Sequence, residues 1–173
     1  LDVTIAANGY LYYRFYLCDG IAYTWINGST NSGGDPPYVG DTWYHFLGTW
    51  DGSDMTLYIN GVALGTIAFT GPVTYNASLS TLIGKRRIGL NFVGSIDEVS
   101  LFNVGKNSSE VTAIYNSGTP TDLSGETGLV SWWRMGDEAT WGGSDWTLTD
   151  QGSGGNDGTS DNMEEDSRQE DVP

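Results

Sequence analysis

Aromatic and acidic side chains lie close together near the carboxyl end of this sequence, where they could hold a sugar. The run from Trp141 to Trp146 places two indole rings beside two glycines, Ser144 and Asp145. Sugars stack their apolar faces on such rings, while carboxylates bind the hydroxyls. Trp141, Asp145 and Trp146 are therefore candidate ligand-binding residues, and Tyr38 is a fourth. The alternative is that these rings only pack beneath their loops.

Asp97 is the carboxylate that most needs a partner. Alternation along a predicted strand places Asp97 on the same face as Val99 and Leu101, which we expect to be core. A buried carboxylate must be paired, hydrogen-bonded or bound to a cation, and Ca²⁺ takes oxygen ligands from carboxylates and carbonyls. Two interpretations stay open: a structural calcium ion held by Asp97 and Asp137, or an aspartate satisfied by backbone amides.

The sequence contains one histidine, His45, and one cysteine, Cys18. These counts exclude a multi-histidine metal site and an intrachain disulfide. We expect His45 to be a core residue whose ring nitrogens are hydrogen-bonded, and Cys18 to be a small buried hydrophobe. Neither residue indicates a catalytic pair.

The composition indicates one β-rich domain whose partner is not nucleic acid. The chain has 173 residues, of which 13% are aromatic and 25 are glycine. Its net charge is −15, whereas phosphate binding needs clustered lysine and arginine. No apolar run approaches the length of a membrane span. The chain begins directly in a predicted strand, which indicates a processed product or an excised fragment.

The elements that would position these residues are short strands and one helix. Period-two alternation between glycine-containing turns predicts strands at 2–6, 10–17, 21–26, 42–50, 54–60, 62–69, 79–83, 94–102 and 129–135. A helix is predicted over 108–116, with Asn107 as its cap, Glu110 completing a capping box and Gly118 ending it. Strands of this spacing favour a sandwich over a βαβ fold.

Residues 41–61 form a predicted meander, in which two alternating strands flank the Asp51-Gly52 turn and Asn60-Gly61 begins the next turn. This segment closely resembles the LamG-type, concanavalin A-like lectin–glucanase superfamily, where a Trp-x-His strand precedes an Asp-Gly turn and a Leu-Tyr-x-Asn-Gly strand. Residues 92–102 resemble the Gly-x-Ile-Asp-Glu-Val strand of the same families. The resemblance covers about residues 1–118 and implies an all-β jelly-roll β-sandwich, often with a structural calcium ion near that strand.

Residues 128–137 resemble the strand that usually opens a LamG domain, although here it comes last, and 149–159 continue the likeness. The chain could be circularly permuted, with 129–135 completing the sandwich, or it could hold the start of a next repeat. Because Trp132 and Trp133 need burial, we favour completion within this chain. The prediction is a LamG-like sandwich over 1–163, with 129–163 as completing strand and loop, and an acidic tail over 164–173.

The resemblance implies binding or assembly without catalysis. Laminarinase-type relatives carry a Glu-x-Asp-x-x-Glu strand that holds the acid and the nucleophile on one face, and this sequence has no such run. The order ending in Trp-Trp-Arg-Met-Gly-Asp also resembles structural proteins of marine bacteriophages. We therefore expect a virion structural protein, a capsid decoration, fibre or adhesion module, that is extracellular or on the virion surface. Its expected partners are other surface-assembly subunits and host glycans. The alternative is a carbohydrate-binding module of a secreted or cell-surface bacterial protein.

Overall fold

The computed structural model describes residues 2–5, 11–18, 23–29, 39–74, 80–86 and 90–168. The chain divides into two compact units, one of residues 1–93 and 105–118 and the other of 94–104 and 119–173. Both are built mainly from antiparallel strands, and α1 (Ser108–Tyr115) is the one α-helix among the described residues. The all-β prediction is thereby confirmed. No helix in the described part of the chain is long and apolar enough to cross a membrane.

The first unit contains two three-stranded sheets and a short ribbon. Its strands are β1 (Asp2–Ile5), β2 (Leu11–Cys18), β3 (Tyr23–Ser29), β4 (Phe46–Trp50), β5 (Asp54–Ile59), β6 (Val62–Ala68), β7 (Lys85–Arg86) and β8 (Leu90–Asn91). The sheet orders are β1-β2-β3, β4-β5-β6 and β7-β8, and every pairing is antiparallel. Consecutive strands therefore pair with each other, as short connecting turns require.

The core of the first unit lies along β5. Met55, Leu57 and Ile59 are almost fully buried, and side chains from both three-stranded sheets pack against them, including Phe15 and Leu17 of β2. Gly48 in β4 leaves room for the Phe15 ring, since a Cβ atom there would lie 2.7 Å from it. The two sheets of this unit thus share one apolar layer, as in a β-sandwich.

The Trp-x-His and Asn-Gly motifs contact each other through His45 and Asn60. The side chain of Asn60 accepts a hydrogen bond from the His45 backbone N–H at 2.9 Å, and the Asn60 N–H donates to the His45 carbonyl at 2.9 Å. Tyr115 of α1 packs on the His45 ring, with centroids 5.7 Å apart, and closely approaches Gly61. Burial lowers the pKa of His45. Its buried Nδ1 has no partner among the described residues, so the expectation of fully hydrogen-bonded ring nitrogens is wrong.

The predicted helix is confirmed with its cap. Asn107 accepts from the backbone N–H groups of Ser109 and Glu110, at 2.9 and 3.1 Å. Glu110 returns a hydrogen bond by accepting from the Asn107 N–H at 2.7 Å. These contacts satisfy donors that have no partner within the helix. Val111 and Ile114 form its buried side.

The second unit is built around β9 (Val99–Phe102) and β10 (Leu129–Trp133), which pair antiparallel. It continues with β11 (Thr140–Trp141), β12 (Trp146–Leu148) and β13 (Gly158–Thr159), a three-stranded sheet in that order, and a 3-10 turn over Glu165–Ser167. The strand that resembles a LamG opening strand therefore pairs with the strand of the Gly-x-Ile-Asp-Glu-Val motif. Completion of the sandwich by residues 129–135 stays a prediction, since both of these strands belong to the second unit. The domain boundaries at 1–163 and 164–173 stay predictions.

Several predicted strand limits are wrong. The strand predicted over 94–102 begins only at Val99, because Glu98 has a left-handed backbone with φ of 53°, which breaks the alternation. Leu101 is 46% exposed, so the expectation that it lies in the core is wrong. The strand predicted over 42–50 begins at Phe46, and the described part of 79–83 forms no strand. β11 to β13 were not predicted, because strands of two or three residues are too short to show a period.

Candidate functional site

The two predicted tryptophans face each other across a hairpin. Trp141 in β11 pairs with Trp146 in β12, and the ring centroids lie 5.5 Å apart at an interplanar angle of 51°. The four-residue loop between them closes with a hydrogen bond from Gly142 N–H to the Asp145 carbonyl at 2.9 Å. Gly143 in that loop has φ of 93°, a conformation that favours glycine. The two glycines thus serve the turn.

The two rings have different roles in this hairpin. Trp146 is only 9% exposed, and its indole N–H donates to the Glu164 carbonyl at 3.0 Å. Trp146 is therefore a packing residue, and its ring lies against the ring of Trp141. Trp141 remains partly exposed, and Asp145 accepts a hydrogen bond from the Ser144 hydroxyl at 2.9 Å. Trp141 and Asp145 are the members of this group that a ligand could reach. Tyr38 lies outside the described residues.

Arg134 organises a second group of charged residues in the same unit, beside β10. Its Nε lies 3.2 Å from a Glu98 carboxylate oxygen, and a terminal nitrogen lies 2.7 Å from Asp137. The other Glu98 oxygen accepts from the Trp132 indole N–H at 2.6 Å, and the Arg134 guanidinium lies 5.4 Å from the centroid of the Trp132 ring. The strained backbone of Glu98 turns its carboxylate towards both partners. The roles of Glu98 and Arg134 were not predicted from the sequence, although Arg134 is the only lysine or arginine between residues 107 and 167.

Asp97 lies next to this group, partly buried and outside any strand. One of its carboxylate oxygens is buried and has no hydrogen-bond partner among the described residues. Burial raises the pKa of Asp97 to about 6, and the negative charges of Glu98 and Asp137 act in the same direction. A hydrogen bond from the Glu98 backbone and the charge of Arg134 oppose this rise. Asp97 is thus held in an environment that disfavours its charged form.

The residues around Asp97 fit a calcium site poorly. Asp137 already binds Arg134, and the described residues contain no group of three or more acidic, histidine or cysteine side chains that could hold a metal ion. Ca²⁺ takes six to eight oxygen ligands, so backbone carbonyls would have to supply most of them. The orphaned oxygen of Asp97 is the one feature that favours a cation, and calcium at Asp97 and Asp137 stays a prediction.

Replacing Asp97 by asparagine should stabilise the protein at pH 8 when calcium is chelated. The folded pKa of about 6 lies above the usual 3.8, so between these values the folded state holds a proton that the unfolded state has lost. Stability therefore falls as the pH rises through that window. Because Asp97 is only partly buried, we expect the substitution to raise the free energy of unfolding by about 1 kcal/mol, less than the pKa shift alone implies.

Chemical unfolding of both proteins at pH 8 and pH 4 measures this effect. Most of the gain should be lost at pH 4, where the carboxyl of the folded wild type is also protonated. A calcium site predicts the opposite, since millimolar calcium would then stabilise the wild type and Asp97→Asn would lose that response. Equal stability of the two proteins at pH 8 without calcium would contradict the environment described for Asp97.

Asp150 joins β10 to the glycine-rich loop that follows β12. It is 9% exposed, and its carboxylate accepts backbone hydrogen bonds from Trp132, Gly152 and Asn156, each at 2.8 Å. Burial raises the pKa of Asp150, but these hydrogen bonds outweigh it and lower the pKa overall. Gly152 fits because a Cβ atom there would strike the Val130 carbonyl. The loop that the sequence relates to LamG domains is thus anchored through one carboxylate.

Comparison with known proteins identifies the fold. A family model described as the concanavalin A-like lectin/glucanases superfamily matches residues 3–112. No curated protein matches the chain. A crystal structure from Bacteroides ovatus, of a protein provisionally described as carbohydrate binding, is similar at 19% identity and a TM-score of 0.57, covering 87% of this chain and 40% of that one. An S-layer domain-containing protein from Clostridium thermocellum is similar at 20% identity and a TM-score of 0.41, covering 62% of this chain and 52% of that one. The chain thus spans less than two thirds of the length of either protein.

Proposed function

This chain belongs to the concanavalin A-like lectin/glucanase superfamily, and from that membership we propose that it is a carbohydrate-binding module. It binds glycans at an extracellular surface and performs no catalytic step. The absence of a Glu-x-Asp-x-x-Glu run in the sequence supports the non-catalytic part, because retaining glycosidases need a nucleophile and an acid on one face. The similarity to a protein that is provisionally described as carbohydrate binding supports the ligand class.

The observation that carries the proposal is the Trp141–Trp146 pair. A sugar ring needs an aromatic platform that is fixed in place and open on one face. Trp146 is buried and hydrogen-bonded, so it holds the Trp141 ring at 5.5 Å without competing for the ligand. Asp145, at the end of the same loop, provides a carboxylate for the sugar hydroxyls.

Substitution of Trp141 by alanine should weaken glycan binding by at least about tenfold, because the stacking surface is lost. Affinity electrophoresis in gels that contain β-glucan, xylan or mannan measures this loss. Trp43→Ala is the matched control, since Trp43 is also partly exposed, at 39%, but belongs to the other unit. Equal retardation of Trp141→Ala and wild type would exclude the hairpin as the binding site.

Display on a virion is the narrower form of this proposal. The order of the Trp-Trp-Arg-Met-Gly-Asp segment is its only support, and it stays a prediction from the sequence. Immunogold labelling of native particles tests it, because a virion module must be found on the particle surface. Detection only on bacterial cells or in culture fluid would favour the bacterial carbohydrate-binding module.

A further inference from the structure

A depression beside β10 has the size and the polar groups of a small ligand site. Its volume is about 360 Å³, at the lower end of the range for small-molecule sites, about 300–1,000 Å³. Its lining includes four residues of the segment 120–124, which precedes β10, together with Trp132, Arg134 and Gln151. All of these residues belong to the second unit. None of them is part of the Trp141 hairpin.

The hydrogen-bond donor in this depression is the Arg134 guanidinium, which contacts within the protein hold in place. Arg134 contacts Glu98 and Asp137, which accounts for two of the five N–H groups of a guanidinium. Its side chain is 36% exposed, and the Trp132 ring lies beside it at 5.4 Å. Trp132 is itself buried, so it supports Arg134 and is not a stacking platform. A fixed guanidinium loses little conformational entropy on binding.

The acceptor is Asp122, which lines the same depression. It is exposed, and one carboxylate oxygen accepts from the Ser124 backbone N–H at 2.9 Å. Hydrogen bonds from the Ser124 backbone and side chain lower the pKa of Asp122, so the group is a carboxylate at neutral pH. Gln151, which can both donate and accept, lines the same depression. The walls thus carry a charged acceptor, a charged donor and an amide.

We propose that this depression is a second glycan contact, which binds adjacent hydroxyls of a neutral sugar through Asp122, Gln151 and Arg134. Each sugar hydroxyl both donates and accepts a hydrogen bond, so neighbouring hydroxyls match a site that offers both a carboxylate and a guanidinium. An acidic sugar fits less well. Glu98 and Asp137 already neutralise Arg134, and Asp122 together with the net charge of −15 repels anions. The inference rests on the proposed glycan-binding function.

The test compares Asp122→Asn and Gln151→Ala with wild type in affinity gels of neutral β-glucan, xylan and mannan and of acidic alginate. Asp122→Asn keeps the acceptor for Ser124 and removes the charge, and we expect an affinity loss of about tenfold for the neutral polymer. Asp54→Asn is the control, since it removes the same charge from an exposed position in the first unit. Unchanged thermal unfolding establishes that the variants are folded.

The outcomes separate this site from the general function. Loss of binding in both Trp141→Ala and Asp122→Asn, with Asp54→Asn unaffected, supports two contacts on one glycan. If Trp141→Ala loses binding while Asp122→Asn and Gln151→Ala retain it, the depression is not a glycan contact and the proposed function stands. If alginate gels retard the wild-type protein more than gels of the neutral polymers do, the proposal that the depression binds a neutral sugar is wrong. Wild type that binds no polymer would overturn both proposals.

Discussion

Replacing Asp150 by alanine should destabilise the protein by about 3 kcal/mol, the largest effect that we expect from a single substitution. The carboxylate accepts three backbone hydrogen bonds at 2.8 Å in a position that is 9% exposed. Its removal leaves the N–H groups of Trp132, Gly152 and Asn156 without their acceptor. An unsatisfied buried donor costs about 1–3 kcal/mol, and partial access of water to the loop reduces the sum.

Guanidinium unfolding followed by tryptophan fluorescence measures the loss. Hydrogen exchange at the Trp132 and Asn156 amides should accelerate, since both amides depend on this acceptor. Asp54→Ala is the control, because Asp54 is exposed. The difference between wild type and Asp150→Ala should shrink on acidification. The pKa of Asp150 is lowered on folding, so its contribution exists above the unfolded pKa and is lost as the pH falls through the folded pKa. A cost below about 1 kcal/mol at neutral pH would contradict the anchoring role.

Gly48→Ala should cost about 2 kcal/mol, the second largest effect, through overpacking. A Cβ atom at this position would lie 2.7 Å from two carbons of the Phe15 ring and 2.8 Å from a third. Phe15 cannot move aside freely, because it packs against the core formed by Met55, Leu57, Ile59 and Phe69. The extra methyl group therefore has to push apart strands that share this core.

A double-mutant cycle with Phe15→Leu checks this explanation. Gly48→Ala should cost less in the Phe15→Leu background, since the smaller side chain leaves space for the methyl group. Gly125→Ala is the matched control, because nothing lies within 4 Å of a Cβ atom there. An equal cost of Gly48→Ala in both backgrounds would assign the loss to the strand backbone, and not to contact with Phe15.

Local sequence patterns determined much of the fold. The period-two pattern predicted a strand over 54–60, and the structure has β5 there, at Asp54–Ile59. The Asn107–Glu110 capping box predicted the start of α1, and both of its hydrogen bonds are present. Such features depend on residues two to four positions apart, whose geometry the backbone conformation fixes. The family resemblance over 41–61 and 92–102 depended on the same kind of short motifs.

The candidate sites depended on more distant relations. Glu98 meets Arg134 across 36 positions of sequence, and Asp150 meets Trp132 across 18. Because Glu98 has a left-handed backbone, Asp97 does not follow the strand alternation that the sequence predicts. No glycine next to Glu98 indicates this conformation. The sequence also named Trp141 and Trp146 together, whereas only packing distinguishes the partly exposed ring from the buried one.

The sequence by itself therefore determined that this chain is an all-β member of its superfamily without the paired carboxylates of a glycosidase strand. The tertiary structure decided which polar groups have partners. Arg134 forms ion pairs with Glu98 and Asp137. Asp150 accepts hydrogen bonds from three backbone amides. One buried oxygen of Asp97 has no hydrogen-bond partner among the described residues. The physical reason is that strand periodicity and turn chemistry are local, while the neutralisation of a charge depends on which distant strands become neighbours.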